Sequence, residues 1–317
     1  RLNLPNNMIN QRSATEAYIR ENQMISSLPI KYIRSPKRQC VYGQSLRSLA
    51  SYKLRSAVRT LLLYPTELWR IRNSIGSVMA LRSSRSKHKG LLLGNGPSKG
   101  YLDPKSLDKF VEKGGETIVV NYWTEDQRLL NHVPSWIVLS DPMTFDKDSP
   151  AGYRLLKYLS RNSSIKLVCP TRMIKSPSIR DLHNKIYPII DIELRFFSFI
   201  SPLLPRSYTS MTLYKALAWA VFLGYRDLGV LGMDNTYPRN IFCDIDNRIL
   251  NYETHSGQLD YIADLTECYA SIASMIDEIG RVFNDLACFP ADHIVNLDPF
   301  SLTDRFPKSD LDLFLDS

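Results

Sequence analysis

The residues best suited to chemistry lie in a few short stretches. Gly94-Asn95-Gly96-Pro97-Ser98 closes an apolar run, Gly90 to Leu93. Glycines let the backbone approach a ligand closely and leave amide hydrogens to meet a phosphate. Asn95 and Ser98 could hydrogen-bond a phosphate or a sugar. The stretch is neither G-x-G-x-x-G nor a Walker loop, because Lys99 and Gly100 follow. A tight strand-to-helix turn would use the same residues. Asn121 and Asp141 each follow a β-branched or leucine-rich run directly, so either could line a nucleotide pocket or cap the next helix. Tyr252-Glu253-Thr254-His255-Ser256 leads into a predicted long helix with Ser256 as its N-cap. His255 would then sit at a helix N-terminus, whose positive end disfavours the imidazolium. A neutral imidazole at pH 7 is what a general base needs. A histidine near a cap also serves as surface filler, but of the five histidines this one has the best setting for chemistry. Asp244-Ile245-Asp246 has the D-x-D spacing that holds a divalent metal on a diphosphate, although acidic loops produce it by chance and a solvated loop is the preferred reading.

The elements that must position these residues alternate. Apolar runs at 90–94, 117–121, 136–140 and 166–169 read as buried strands, with helical patterns at 104–113, 125–131 and 152–160 between them. Such alternation implies βαβ units and a parallel sheet. Residues 171–205 are less regular, with a further strand candidate at 186–192. Thr209 or Ser210 is expected to cap a helix running to Leu223, which Gly224 ends, and a strand follows at 228–233. That helix is apolar nearly all round, so it belongs in the core. A loop at 234–254 precedes the long helix at 258–286, and 293–297 is the last strand. Open parallel sheets bind ligands beyond the carboxyl ends of their strands. That places the glycine loop, Asn121, Asp141, Pro170-Thr171, Asp234 and the loop after it on one side.

The chain has 317 residues, 44% of them hydrophobic and 23% charged, which is enough to bury a core without staples. No run of eighteen apolar residues occurs. Five widely spaced cysteines without C-x-x-C read as reduced thiols, as in a cytosolic protein. The chain begins at Arg1 rather than a methionine, which leaves an upstream signal or anchor open. Charge divides the sequence. Residues 1–90 hold 17 bases and three acids, a net of +14, while residues 91–317 hold 23 bases and 29 acids, a net of −6. The larger part is therefore not a nucleic-acid groove. We read residues 1–89 as a basic, partly helical extension and 90–317 as the main domain, with a small lid at about 234–256. In the extension Leu54, Val58, Leu61 and Leu62 follow helical spacing until Pro65, and a second apolar face runs from Leu68 to Met79. Such basic amphipathic helices can lie on anionic membranes. The plainer expectation is a helical hairpin docked on the main domain with its arginines in solvent.

Taken together, the glycine loop, the block Thr209 to Asp234 and the block Tyr252 to Asp260 resemble the bacterial sialyltransferases of glycosyltransferase family 42. These belong to a wider superfamily with motility-associated flagellin glycosyltransferases and a hydroxymethylpterin diphosphokinase. The resemblance covers about residues 90–300. It implies a Rossmann-like, mainly parallel sheet of modified GT-A type. It also implies metal-free, inverting transfer of sialic acid, or a related nonulosonic acid, from a CMP-sugar to a glycan hydroxyl. His255 falls on the family's base, and Tyr252 on a tyrosine that holds the departing phosphate. Tyr237, offset by one residue, is nearest to a second such tyrosine. Gly94, Asn95, Gly96, Ser98, Asn121, Asp141, Thr209, Ser210 and Asp234 fall on the donor and nucleotide site. Asp141 stands where the family has an asparagine. The implied partners are a CMP-sugar and a glycan acceptor of the lipooligosaccharide or capsule kind, with no cofactor, metal or nucleic acid. An anionic membrane surface contacted through 52–82, and a second copy of the chain, complete the candidate partners. The setting would be the cytoplasm or the inner membrane face. Two rivals remain: a metal-dependent diphosphokinase using Asp234, Asp244 or Asp246, and a non-catalytic adaptor that keeps the fold.

Overall fold

Leu91 and Leu93 point to one face of the first strand and Leu92 to the other, and all three are buried. The same two-sided burial recurs along the sheet, which is why its strands read as continuous apolar runs rather than alternating ones. The computed structural model describes residues 46–84, 89–194, 200–235, 240–253, 261–266 and 271–317. In chain order the strands are β1 (Lys89–Leu93), β2 (Glu116–Val120), β3 (Trp136–Val138), β4 (Lys166–Pro170), β5 (Ile186–Ile189), β6 (Asp227–Leu231), β7 (Ile241–Cys243), β8 (Ile249–Glu253), β9 (Tyr261–Asp264) and β10 (Ile294–Asn296). The helices are α1 (Leu46–Ile71), α2 (Ile75–Ser84), α3 (Pro104–Glu112), α4 (Pro150–Arg161), α5 (Pro177–Arg180), α6 (Thr212–Leu223), α7 (Ile272–Asp285) and α8 (Leu311–Asp316).

Seven strands form one parallel sheet in the order β10-β6-β1-β2-β3-β4-β5. The fold is α/β and Rossmann-like. From β1 the chain winds outward to β5, then returns to the other side of β1 as β6 and β10. The strand order therefore reverses between β1 and β6, the place where such sheets open a crevice for ligands. One face of the sheet packs on α2, α6 and α7, around Trp136, Tyr187 and Trp219, whose rings lie 5.4–5.9 Å apart. The other face packs on α3, α4 and α8. Local chemistry sets the helix starts: Asp103 and Ser149 accept from the amides of Ser106 and Gly152, each followed by a proline at the first helical position. Gly224, at φ +79, ends α6 as its left-handed cap.

Four expectations are corrected. Residues 125–131 form two 3-10 turns, Trp123–Glu125 and Gln127–Leu129, because Asp126 accepts from Arg128 N and its own N–H returns to Trp123 O. The helix expected over 258–286 starts at Ile272, because Tyr261–Asp264 pairs antiparallel with β8. A short apolar run fits either period, and here the ladder wins. Neither Thr209 nor Ser210 caps α6, whose N-cap is Met211 with no side-chain cap. Pro65 does not break the first helix: α1 runs through it, held by Thr60 Oγ1 donating to Glu193 O (3.0 Å) and Tyr64 OH to Leu203 O (3.3 Å). The hairpin of α1 and α2 docks as expected, through Leu68, Ile71, Ile75 and Val78 of the second apolar face together with Thr60 and Tyr64, and leaves the leucine stripe exposed.

The small antiparallel sheet β7-β8-β9 fills most of the expected lid and extends past it to Asp264. Ile249 of this sheet packs on Met275 and Ile279 of α7.

Candidate active site

The glycine loop sits at the β1/β6 reversal, and its glycines answer to contact rather than to a free backbone. A Cβ on Gly94 would lie 2.3 Å from Gly232 O, and one on Gly96 would lie 1.7 Å from Asp234 Oδ2. Gly232 itself has φ +79, a conformation that side chains rarely adopt. The amides expected to be free for phosphate are spent on this clamp. Gly94 N donates to Leu231 O (2.8 Å), Gly96 N to Gly232 O (3.1 Å) and Ser98 N to Asp234 Oδ1 (2.9 Å). Ser98 Oγ in turn accepts from Gly232 N (2.9 Å). The loop thus fixes the β1 and β6 ends together and presents Asn95, partly exposed, at its tip.

Asp234 is turned inward. Its Oδ2 and that of Asp298 are both enclosed without a donor from any described residue. Burial, and then the Asp298 carboxyl beside it, push the Asp234 carboxyl up to about 7, while the Ser98 amide pulls the other way. Below that pH the Asp234 carboxyl keeps its proton. Ser301 Oγ donates to Met233 O (2.7 Å), tying the segment after β10 to the same strand end.

A second polar set joins the ends of β2 and β3 to α6. Asn121, at φ +29, accepts through Oδ1 from Ser140 N (3.1 Å) and donates through Nδ2 to Thr212 Oγ1 (2.8 Å). Ser140 Oγ and Thr212 Oγ1 lie 2.6 Å apart. Asp141 takes the capping role open to it: Oδ1 accepts from Met143 N (3.0 Å) and Oδ2 from Tyr122 OH (2.5 Å). Thr212 is the first residue of α6, so this set surrounds a helix start whose N-cap residue, Met211, supplies no side-chain cap. A helix N-terminus carries partial positive charge and directs its first amides outward, an arrangement that suits phosphate. Ser210 is exposed just before it. Thr209 faces away, its N–H and hydroxyl both donating to Asp285 Oδ2 at the end of α7.

A third cluster, at the ends of β4 and β5, escaped the sequence reading. Asp191 accepts from Arg206 Nε (2.7 Å), Lys215 Nζ (2.9 Å) and Arg172 Nη2 (3.2 Å), with Ser210 Oγ 3.4 Å away. Burial alone would raise the Asp191 carboxyl, but Lys215 and Arg206 outweigh it and hold it below its ordinary value. Burial pushes the Lys215 ammonium down to about 8, opposed by Asp191. Its sequence signals were Arg172 two residues after β4 and Asp191 two residues after β5.

Asp244 and Asp246 occupy the hairpin turn between β7 and β8, beside Asn247 at φ +57. Asp244 accepts from Asp246 N (3.0 Å), Arg248 N (2.8 Å) and Arg248 Nε (2.6 Å). Among the described residues no three acids, histidines or cysteines gather as a metal set. Tyr252 lies in β8 opposite Ile262. His255 and Tyr237 lie outside the described residues. The helix-terminus argument for His255 lapses, since α7 begins at Ile272.

No family model matches this chain. None of the curated proteins matches it. Among solved structures it is similar to the MAf glycosyltransferase from Magnetospirillum magneticum AMB-1, at 15% identity and a TM-score of 0.47, over 72% of this chain and 34% of that one. The chain thus spans about a third of that protein's length.

Proposed function

We propose that this chain is an inverting glycosyltransferase that moves a sialic acid, or a related nonulosonic acid, from a CMP-linked donor to a glycan hydroxyl. The observation that carries the reading is the uncapped start of α6, ringed by Asn121, Ser140 and Thr212, on the same edge of the sheet as the glycine loop. One phosphate at a helix start, rather than a metal-bridged diphosphate, suits a nucleoside monophosphate leaving group. The order of blocks that resembles the family 42 enzymes adds the donor class and the base. Asn95, Ser210 and the α6 amides would hold CMP, while the remaining N–H of Asn121 could reach its ligand.

In the reaction the acceptor oxygen attacks the anomeric carbon of the keto-sugar as the bond to the CMP phosphate breaks. The transition state resembles an oxocarbenium ion, as in glycoside hydrolysis. His255 takes the acceptor proton, and the departing phosphate keeps the bonding electron pair. Tyr252 and Tyr237 would donate hydrogen bonds to that phosphate as its charge grows. The diphosphokinase alternative would use Asp234, Asp244 or Asp246 to hold magnesium. Asp244 is paired with Arg248, and Asp234 faces Ser98 and Asp298.

The test is transfer from CMP-sialic acid, and from CMP-linked relatives, to a panel of lipooligosaccharide-type glycans. His255→Ala should lower kcat by about 10²- to 10⁴-fold while leaving CMP affinity intact. Unchanged turnover in that variant would remove the proposed base, and no transfer from any CMP-sugar would remove the reaction.

A further inference from the structure

We infer that α1 is a docking face for an anionic lipid bilayer. The inference does not rest on the donor chemistry proposed above. Leu54, Val58, Leu61, Leu62 and Trp69 lie on one arc of α1, at i, i+4, i+7, i+8 and i+15. Their exposure is 64%, 48%, 75%, 71% and 62%. Single exposed leucines are ordinary, but five large apolar residues on one arc mark an interaction surface. The neighbouring arc, Thr60, Tyr64, Leu68 and Ile71, is already used against Ile190, Ile192 and Leu203, so this stripe is a second face that the described residues do not cover.

Charge identifies the occupant. Arg59 lines the same surface depression as Leu54, Val58, Leu62 and Leu63. The Arg72 guanidinium lies over the Trp69 ring, 4.2 Å from its centroid, and donates to Trp69 O at 2.8 Å. A tryptophan with a cation stacked on it, beside a leucine stripe, suits a headgroup boundary, where the ring sits half in hydrocarbon and the guanidinium meets phosphate. Residues 1–90 carry a net +14, which attracts an anionic surface and opposes a second copy of the same face. No described helix is long and apolar enough to cross a membrane, so α1 would lie in the interface plane.

The test uses the full chain and vesicles of phosphatidylcholine, with and without about a third phosphatidylserine. Trp69 is the one exposed tryptophan of four, the other three being buried, so acrylamide quenching reports on it directly. Sedimentation with the anionic vesicles should fall about tenfold in Leu61→Glu/Leu62→Glu, and markedly between about 0.1 and 0.5 M salt. Vesicles should shield Trp69 from acrylamide, and Trp69→Phe should lose that signal. Three results would overturn the inference: no binding to anionic vesicles, binding indifferent to the leucine pair, or a Trp69 already shielded without lipid. The last would put residues 1–45 or another copy of the chain on the stripe instead.

Discussion

Replacing Asp234 by asparagine should stabilise the protein, and only above acidic pH. The carboxyl is held at about 7 in the folded chain against an ordinary value of 3.8. Between those values the folded state binds a proton that the unfolded state has released. Stability therefore falls as pH rises from about 4 to 7 and levels off above, the reverse of a salt-bridged aspartate. At about 1.4 kcal/mol per unit the full cost comes to about 4 kcal/mol or a little more above pH 7. Asparagine keeps an acceptor for the Ser98 amide and places a neutral amide, rather than a second carboxylate, beside Asp298. Part of the gain is lost to burying an amide, so we expect about 1–3 kcal/mol at pH 8 and almost none at pH 4. At about 2 °C per kcal/mol for a chain of this size, thermal melts should separate by about 2–6 °C at pH 8 and converge at pH 4. Comparing variant with parent at each pH cancels the titrating groups remote from Asp234. A separation independent of pH, or a variant that melts lower at pH 8, would refute a raised Asp234 carboxyl.

Other outcomes follow from the same geometry. Gly96→Ala must displace Asp234 and should cost about 1–3 kcal/mol in urea unfolding, without a change of pH profile in the opposite direction to Asp234→Asn. Asp191→Asn leaves Lys215 buried without its counter-charge and leaves Arg206 only the longer pair to Glu193 at 3.4 Å, and should cost about 3–5 kcal/mol by the same assay. Asp244→Ala/Asp246→Ala should leave nucleotide binding unchanged with or without magnesium, because Asp244 already serves Arg248 and the turn; loss of binding by calorimetry would restore the metal reading.

The sheet was legible because parallel strands buried on both faces read as apolar runs closed by a polar residue or glycine, as at Leu93-Gly94, Val120-Asn121 and Leu231-Gly232. The 258–286 segment was not. Its helical face, Ile262 and Leu265 included, depends on whether Tyr261–Asp264 finds a strand partner, and β8 supplies one. Helical period likewise revealed the leucine stripe of α1 and the apolar face from Leu68, but not that Thr60 and Tyr64 join the latter face and dock it. At the site, sequence found the glycine loop but not what it packs against, and left open whether it serves a ligand or a tight turn. The partner that makes Gly96 obligatory is Asp234, 136 residues on from Ser98, and no local pattern links them. The Asp191 cluster was hidden for the same reason, its bases coming from three separate segments.

The central claim is that the α6 start and the glycine-loop edge form a metal-free site for CMP. Calorimetric titration of the full chain with CMP, first in EDTA and then with magnesium, addresses it directly. The account predicts saturable one-to-one binding in EDTA, unchanged by magnesium, and weakened about tenfold in Asn95→Ala without a shift in melting temperature. Binding that needs magnesium, or no binding in either condition, would contradict it.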